Sequence, residues 1–373
     1  MLVPMAWWCT GVRWRVGAGP VLGWYAPGRG ERESALSAGG EIAFRVQGGR
    51  RCLGVRRGGR WTVCPTGAAV AGRSTRAQCE ECARVDRAHS VAADTFADDP
   101  RPYHVYVAWF GPGLVKVGIT GVARGGARLL EQGAVAYTWL GRGPLMAARR
   151  TEELLRTALG VPDRIPYERK RALRALLPGA EERAGELARV HRQAVALGGW
   201  PESLERLPCE VVDHGEVFGL AALGRSGGPC GAGAPAEQGG SGAQGARVAP
   251  GVPGGSRGFA AVPEQVVDQL TDGGVVAGTL LAAAGPDLHL AVSTSGRARG
   301  PGAAEPGTGE PGTRAPGMPG PGTRGLVIDS RLMSGWQLVG LGDVAVPAAV
   351  DPSAAAGVTV PVREIPVVQG GLF

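Results

Sequence analysis

The sequence predicts an α+β protein whose ordered parts are separated by loose inserts. Three observations predict it. Short runs alternating apolar and polar residues occur near both ends of the chain, helical periodicity is concentrated in 144–197, and tracts of Gly, Pro and Ser interrupt the pattern at 226–256 and 294–324. With 373 residues the chain is long enough for two or three domains and a sizeable core. Its 64 Gly and 29 Pro, 93 residues together, are clustered and approach the level at which low-complexity segments are expected.

Residues 1–50 contain "GVRWRVG" and "EIAFRVQ", split by Gly/Pro turns, which read as short antiparallel strands. Residues 51–100 hold four of the seven Cys and few long apolar runs, so this module needs a staple. Residues 101–200 open on "YHVYVAWFGPGLVKVGIT" (103–120), two β-type runs around a Gly-Pro-Gly turn. A short helix is expected over 122–132, weakened by two Gly. A stronger one covers 144–159, with Pro144 at its start, an apolar side of Leu145, Ala148, Leu155 and Leu159, and Gly160 as its stop. Two further helices are expected over 166–177 and 180–197, and an extended segment over 201–225.

Residues 226–256 lack periodicity and large apolar side chains, and are expected to be a disordered linker. A small β module spans 257–345. It opens with a hairpin over 274–293 turning at Gly285-Pro286-Asp287, is interrupted by a second disordered tract at 294–324, and resumes at "GLVIDSRL" and "GWQLVGLG". The tail, 346–373, is Val/Pro-rich and expected to be extended.

The formal charge is +7, and nearly every cation is Arg, with Lys116 and Lys170 the two lysines. Residues 101–176 carry 13 Arg plus Lys against 5 Asp plus Glu, a local net of +8. A basic segment is the footprint expected for a polyanion such as nucleic acid, and the plainer reading is solvated Arg on an Arg-rich surface. No run approaches the roughly 20 apolar residues of a membrane span, and "MLVPMAWWCTGVRWRVGAG" lacks the layout of a signal peptide. A cytoplasmic, reducing location is therefore expected, where clustered Cys read as metal ligands before disulfides.

Cys52, Cys64, Cys79 and Cys82 have the spacing C-x11-C-x14-C-x2-C. Zinc favours four thiolates in a tetrahedron, and a Cys-x-x-Cys knuckle supplies two of them from one turn. The expectation is structural zinc on all four. The alternatives are unrelated thiols, or a redox pair at Cys79 and Cys82.

Along 103–153, polar groups suited to phosphodiester chemistry follow one another. Tyr106 stands on the first strand, Lys116 near the start of the second, Gly118 where backbone must come close to something, Arg128 on the short helix, and Glu152 and Glu153 on the strong one. A carboxylate can hold Mg²⁺, a cation can stabilise phosphate, and a phenol can serve as base or orienter. Each also has an ordinary role: Tyr106 as a strand aromatic, Gly118 as a packing glycine, Arg128 as a solvated helix residue, and Glu152 as a partner of Arg149 or Arg156.

The order resembles the GIY-YIG nuclease superfamily. "VYV" (105–107) stands at its first motif with Tyr106 on the Tyr, and "KVGIT" (116–120) at its second, with Gly118 on the Gly and Lys116 replacing the Tyr. The resemblance implies a phosphate role for Arg128, with Arg124 as another register, and catalytic Mg²⁺ on Glu152. Over about 50–340, without the two tracts, the order of Cys cluster, "KVGIT…RLLEQGA", Glu helix and "GTLLAAAGPDLHL…GLVIDS…GW" also resembles the bacterial and archaeal family called domain of unknown function 2797. That family implies a fold more than an activity.

Two functional expectations follow. One is a nucleic-acid-binding protein with Mg-dependent phosphodiester cleavage by Tyr106, Lys116, Arg128 and Glu152. The other is a non-catalytic nucleic-acid-binding zinc protein on the same scaffold. A scaffold that recruits protein partners is a third class. The sequence leaves the oligomeric state open.

Overall fold

The alternation near the start of the chain forms a meander of β1 (Trp8–Arg15), β2 (Gly19–Ala26) and β3 (Gly30–Ala35), each antiparallel to the next. The next strand, β4 (Glu41–Gln47), leaves that meander for partners near the other end of the chain. This is seen in a computed structural model describing residues 7–57, 60–88, 99–162, 164–223, 263–293, 323–341 and 358–366.

Two short strands, β5 (Gly54–Arg57) and β6 (Arg60–Val63), pair alone and are followed by α1 (Glu80–Ala88). The central region begins with the hairpin expected over 103–120, as β7 (Tyr103–Trp109) and β8 (Val115–Gly121). The helix expected over 122–132 is divided. A 3-10 turn at Val122–Arg124 precedes α2 (Ala127–Gln132), with Gly125 at φ 47° between them, a conformation glycine tolerates better than other residues. Next comes β9 (Ala136–Gly143), then α3 (Leu145–Leu159), capped by Pro144 and by Gly160 in the left-handed region. Shorter than expected is α4 (Tyr167–Leu173), and α5 (Ala180–Ala196) follows. The segment 201–225 supplies β10 (Glu205–Arg206), β11 (Val211–Asp213) and a 3-10 turn at Leu220–Leu223.

The chain then contributes β12 (Pro263–Val267), the hairpin β13 (Val275–Ala284) and β14 (Asp287–Ser293), β15 (Thr323–Asp329), the single turn α6 (Ser330–Met333), β16 (Gln337–Gly340) and β17 (Val362–Glu364). The linker expected at 226–256 lies outside the described residues, as does 294–322, whereas Thr323 and Arg324 open β15 instead of closing a disordered tract. Part of the tail is a strand, since β17 pairs with β12.

Two sheets organise these strands. The larger has ten, in the order β17-β12-β15-β14-β13-β4-β16-β1-β2-β3. The segments 1–50 and 257–345, read separately in the sequence, thus share one sheet. The smaller runs β10-β9-β7-β8, with β11 also on β9. One continuous hydrophobic cluster joins the two, from Val46 and Leu338 in the larger sheet to Val107 and Leu187 in the central region. Alternation along β7 splits its side chains. Val105, Val107 and Trp109 join that cluster with Leu145 and Leu155 of α3, while Tyr106, Ala108 and the following Phe110 enter a second cluster with Leu129 and Tyr137.

A buried ion network ties the regions together. Arg171 of α4 bonds both carboxylate oxygens of Asp287 (3.0 and 2.6 Å) and one of Asp329 (2.7 Å), at the ends of β14 and β15. Arg331 holds Asp329 from the other side at 2.9 and 2.6 Å.

Candidate functional site

The four cysteines meet. Cys52 precedes β5 and Cys64 follows β6, so pairing of Gly54 with Val63 draws the two thiols together across the x11 gap. Cys79 and Cys82 lie at the start of α1, and Cys79 accepts the Ala83 amide at its carbonyl. All four Sγ atoms lie within 4.8 Å of one another, and Cys64 Sγ is 3.9 Å from Cys79 Sγ. Thiolates 2.3 Å from one zinc in a tetrahedron stand about 3.8 Å apart, so the donor set has the size that zinc requires. Burial pushes the Cys64 thiol up, but bonds from the Thr66 hydroxyl and the Thr66 and Ala68 amides favour its thiolate more and bring its pKa down to about 6. The first cysteine pair therefore comes from the ends of a hairpin in place of a second knuckle. Among the described residues this is the one group of three or more His, Cys, Asp or Glu placed to hold a metal ion.

Tyr106 is 2 % exposed. It stands opposite Gly118 in the β7–β8 register, and its ring and hydroxyl occupy the space that a Cβ on Gly118 would need. The close approach foreseen at Gly118 is therefore to Tyr106. The phenol oxygen accepts a hydrogen bond from Gln132 Nε2 at 3.0 Å, and Trp139 meets the ring edge-on. Burial raises the Tyr106 pKa first of all. The Gln132 bond and the charges of Arg128 and Arg124 oppose that, and the charge of Glu152 adds to it.

Lys116 lies on the same face, with Nζ 5.9 Å from the Tyr106 ring centre. Arg128 is exposed on α2 and 3.7 Å from Glu131, which Arg124 also engages at 2.6 Å. Lys116 and Arg128 line a cleft of about 910 Å³ between the two sheets. Its other basic side chains are Arg76, Arg164, Lys170 and Arg331, and among the described residues the one carboxylate lining it is Glu131. Glu152 is half-buried on α3, which packs through Leu145 and Leu155 on the other side of β7, and it does not line this cleft. The structure thus brings Tyr106, Lys116 and Arg128 together, whereas Glu152 reaches them through its charge on the Tyr106 phenol.

Sequence reasoning placed a helix over 166–177 but missed the role of its inward face, which α4 carries. Tyr167, Lys170, Arg171 and Arg174 recur at helical spacing, so one stripe of this helix is aromatic and cationic. That stripe faces inward: Lys170, Arg171 and Arg174 are 3, 7 and 1 % exposed. Lys170 Nζ donates to the Gln132 carbonyl at 3.0 Å and Arg174 Nη2 to the Gly133 carbonyl at 2.6 Å, satisfying the C-terminal end of α2. The usable signal was cations at the phase where an amphipathic helix should be apolar.

Residues 39–224 match the family model described as "Protein of unknown function (DUF2797)". The match takes in β4, the cysteine module, the smaller sheet and α4. No curated protein matches the chain, and no solved structure matches it. Among the described residues, no helix is long and apolar enough to cross a membrane.

Proposed function

We propose that this chain binds nucleic acid through the basic cleft between its sheets, with a structural zinc on Cys52, Cys64, Cys79 and Cys82. The observation that carries the reading is the wall chemistry. Arg76, Lys116, Arg128, Arg164 and Arg331 face an open volume in which, among the described residues, the one lining carboxylate is Glu131, with Asp329 pairing Arg331 from behind. Basic side chains gathered along one open cleft attract a polyanion, and a phosphate backbone supplies anions in series. The Thr10, Thr75, Ser330 and Ser334 side chains on the same walls add hydroxyl groups suited to phosphate oxygens.

Within this proposal the non-catalytic form is favoured. A phenol 2 % exposed, held by Gln132 and raised in pKa, is a poor base or nucleophile at neutral pH. Tyr106 serves instead to pack β7 on β8 and orient Gln132. One observation keeps the Mg-dependent nuclease as a second reading: the Glu152 carboxylate lies near enough for its charge to act on the Tyr106 phenol, together with Arg128. Labelled single-stranded, duplex and branched DNA and RNA, incubated with Mg²⁺ or Mn²⁺, separate the two. Binding without cutting, unchanged by Glu152→Ala, is expected. Metal-dependent cutting that Glu152→Ala abolishes would establish the nuclease.

A further inference from the structure

Lys170 departs from the other cations of the cleft. Its ammonium position lies between two rings, 3.9 Å from the Phe110 centre and 4.2 Å from that of Tyr167. Among the described residues its hydrogen bond goes to the Gln132 carbonyl, and no carboxylate there lies within ion-pair distance of it. The charged groups facing it are mostly cations: Arg174 at the end of its own helix, Lys116 from β8 and Arg331 from α6, opposed by Asp287 of β14. The ring faces favour an ammonium. Removal from water and three positive neighbours favour the neutral amine, and they prevail, bringing the Lys170 pKa down to about 6. Desolvation in an apolar slot beside other cations is the arrangement that activates a lysine as a nucleophile.

We propose that Lys170 is a nucleophilic amine of this cleft, forming an imine with an aldehyde whose phosphate the surrounding cations hold. This rests on the reading of the cleft as a phosphate site. Nζ attacks the carbonyl carbon, a C=N bond replaces C=O, and the two amine hydrogens leave with the carbonyl oxygen as water. No oxidant, reductant or metal is needed. The ligand class is a phosphorylated aldehyde. It has two sources, a free sugar or triose phosphate, or the ring-opened sugar left in a nucleic-acid strand that has lost a base.

The composition makes the test direct, because the chain has two lysines, Lys116 and Lys170. The full chain is incubated with sodium cyanoborohydride and one of three probes: glyceraldehyde 3-phosphate, neutral glyceraldehyde, or a DNA strand containing an abasic site. Peptide mass spectrometry then locates the reduced adduct. At pH 7 Lys170 should trap glyceraldehyde 3-phosphate on the order of tenfold or more faster than free Nα-acetyl-lysine, whose ammonium keeps its ordinary pKa. It should prefer the phosphorylated over the neutral aldehyde, and inorganic phosphate should compete. Lys170→Arg, which can still donate to the Gln132 carbonyl, should stay folded and lose the adduct. Lys170→Met is the second variant should Arg not fit the slot.

Trapping of the abasic strand at Lys170 assigns the nucleic-acid source, and trapping of the triose phosphate alone assigns the small-molecule source. Adduct confined to Lys116 or the α-amine, or equal rates with both aldehydes, would overturn the proposal. Binding of an intact oligonucleotide, measured in the same samples, tests the underlying reading separately. Binding with no Lys170 adduct removes the amine chemistry alone. An adduct without binding removes the nucleic-acid reading alone.

Discussion

Tyr106 and Gly118 show how a catalytic pattern can also be a packing pattern. A β-strand aromatic filling the space above a cross-strand glycine fixes register and face at once. The identities were legible in the sequence. The burial was not, because it depends on Gln132 and Trp139, which reach Tyr106 only after α2 and β9 close over it. Gly118→Ala would drive a methyl into the Tyr106 ring and should cost about 1–3 kcal/mol, read from the urea midpoint. Tyr106→Phe removes the partner of a buried Gln132 amide and should cost about 1 kcal/mol while leaving nucleic-acid binding unchanged. A large loss of binding with normal stability would give Tyr106 a direct ligand role. His289 makes a second case. It is 1 % exposed, and neither ring nitrogen finds a hydrogen-bond partner among the described residues. Burial, then the charges of Arg174 and Arg171, brings its pKa down to about 3. The folded imidazole stays neutral while the unfolded one takes a proton below about 6.5, so stability falls as pH drops from there toward 3. Between pH 7 and 5 the wild type should lose about 2 kcal/mol more than His289→Leu in urea unfolding.

At the scale of elements, strong local signals read well. Pro144 and Gly160 bracket α3, and Gly285-Pro286 turns the β13–β14 hairpin. The divided helix before Gly133 was foreseeable from Gly125 and Gly126. The cysteine module was half legible. The Cys79–Cys82 knuckle is local, but the approach of Cys52 to Cys64 depends on a hairpin whose sequence signal, Gly58-Gly59 between two short runs, is easily passed over. Among the described residues of 51–88 the buried cluster is small, Cys52, Val55, Cys64 and Cys82 with Val70 and Cys79 against it, so the metal should supply much of the folding free energy. The protein should contain about one zinc per chain, and Cys64→Ser or a strong chelator should release it and expose 51–88 to proteolysis. A full zinc complement in Cys64→Ser would contradict the four-thiolate assignment.

The whole molecule was the least legible level. The larger sheet places β4 between β13 and β16, and β1 against β16. Periodicity names strands but not partners across more than two hundred residues, so the two ends of the chain read as separate modules. The cleft shares that origin. Lys116 and Arg128 come from one region, and Arg331 and Ser330 from another, so no local window contains the site. The Arg171–Asp287–Asp329 network holds the two regions in this relation. Burial raises Asp287 against the pull of Arg171. At Asp329, burial is outweighed by the bonds and charge of Arg331, helped by Arg171, and its pKa is lowered. Arg171→Met would leave buried carboxylates without their shared cation and should cost about 3–5 kcal/mol in urea unfolding. It should also weaken ligand binding in the cleft, since both walls depend on it.

The most direct test of the central claim is anisotropy of a labelled oligonucleotide over a salt series. Wild type would be compared with Lys116→Ala and Arg128→Ala, and with Arg189→Ala, an exposed α5 residue that does not line the cleft. The account predicts salt-sensitive binding whose log–log slope falls by about 0.7–0.9 for each cleft cation removed and stays unchanged in Arg189→Ala. Binding that is absent, insensitive to salt, or equally weakened by all three substitutions would contradict it.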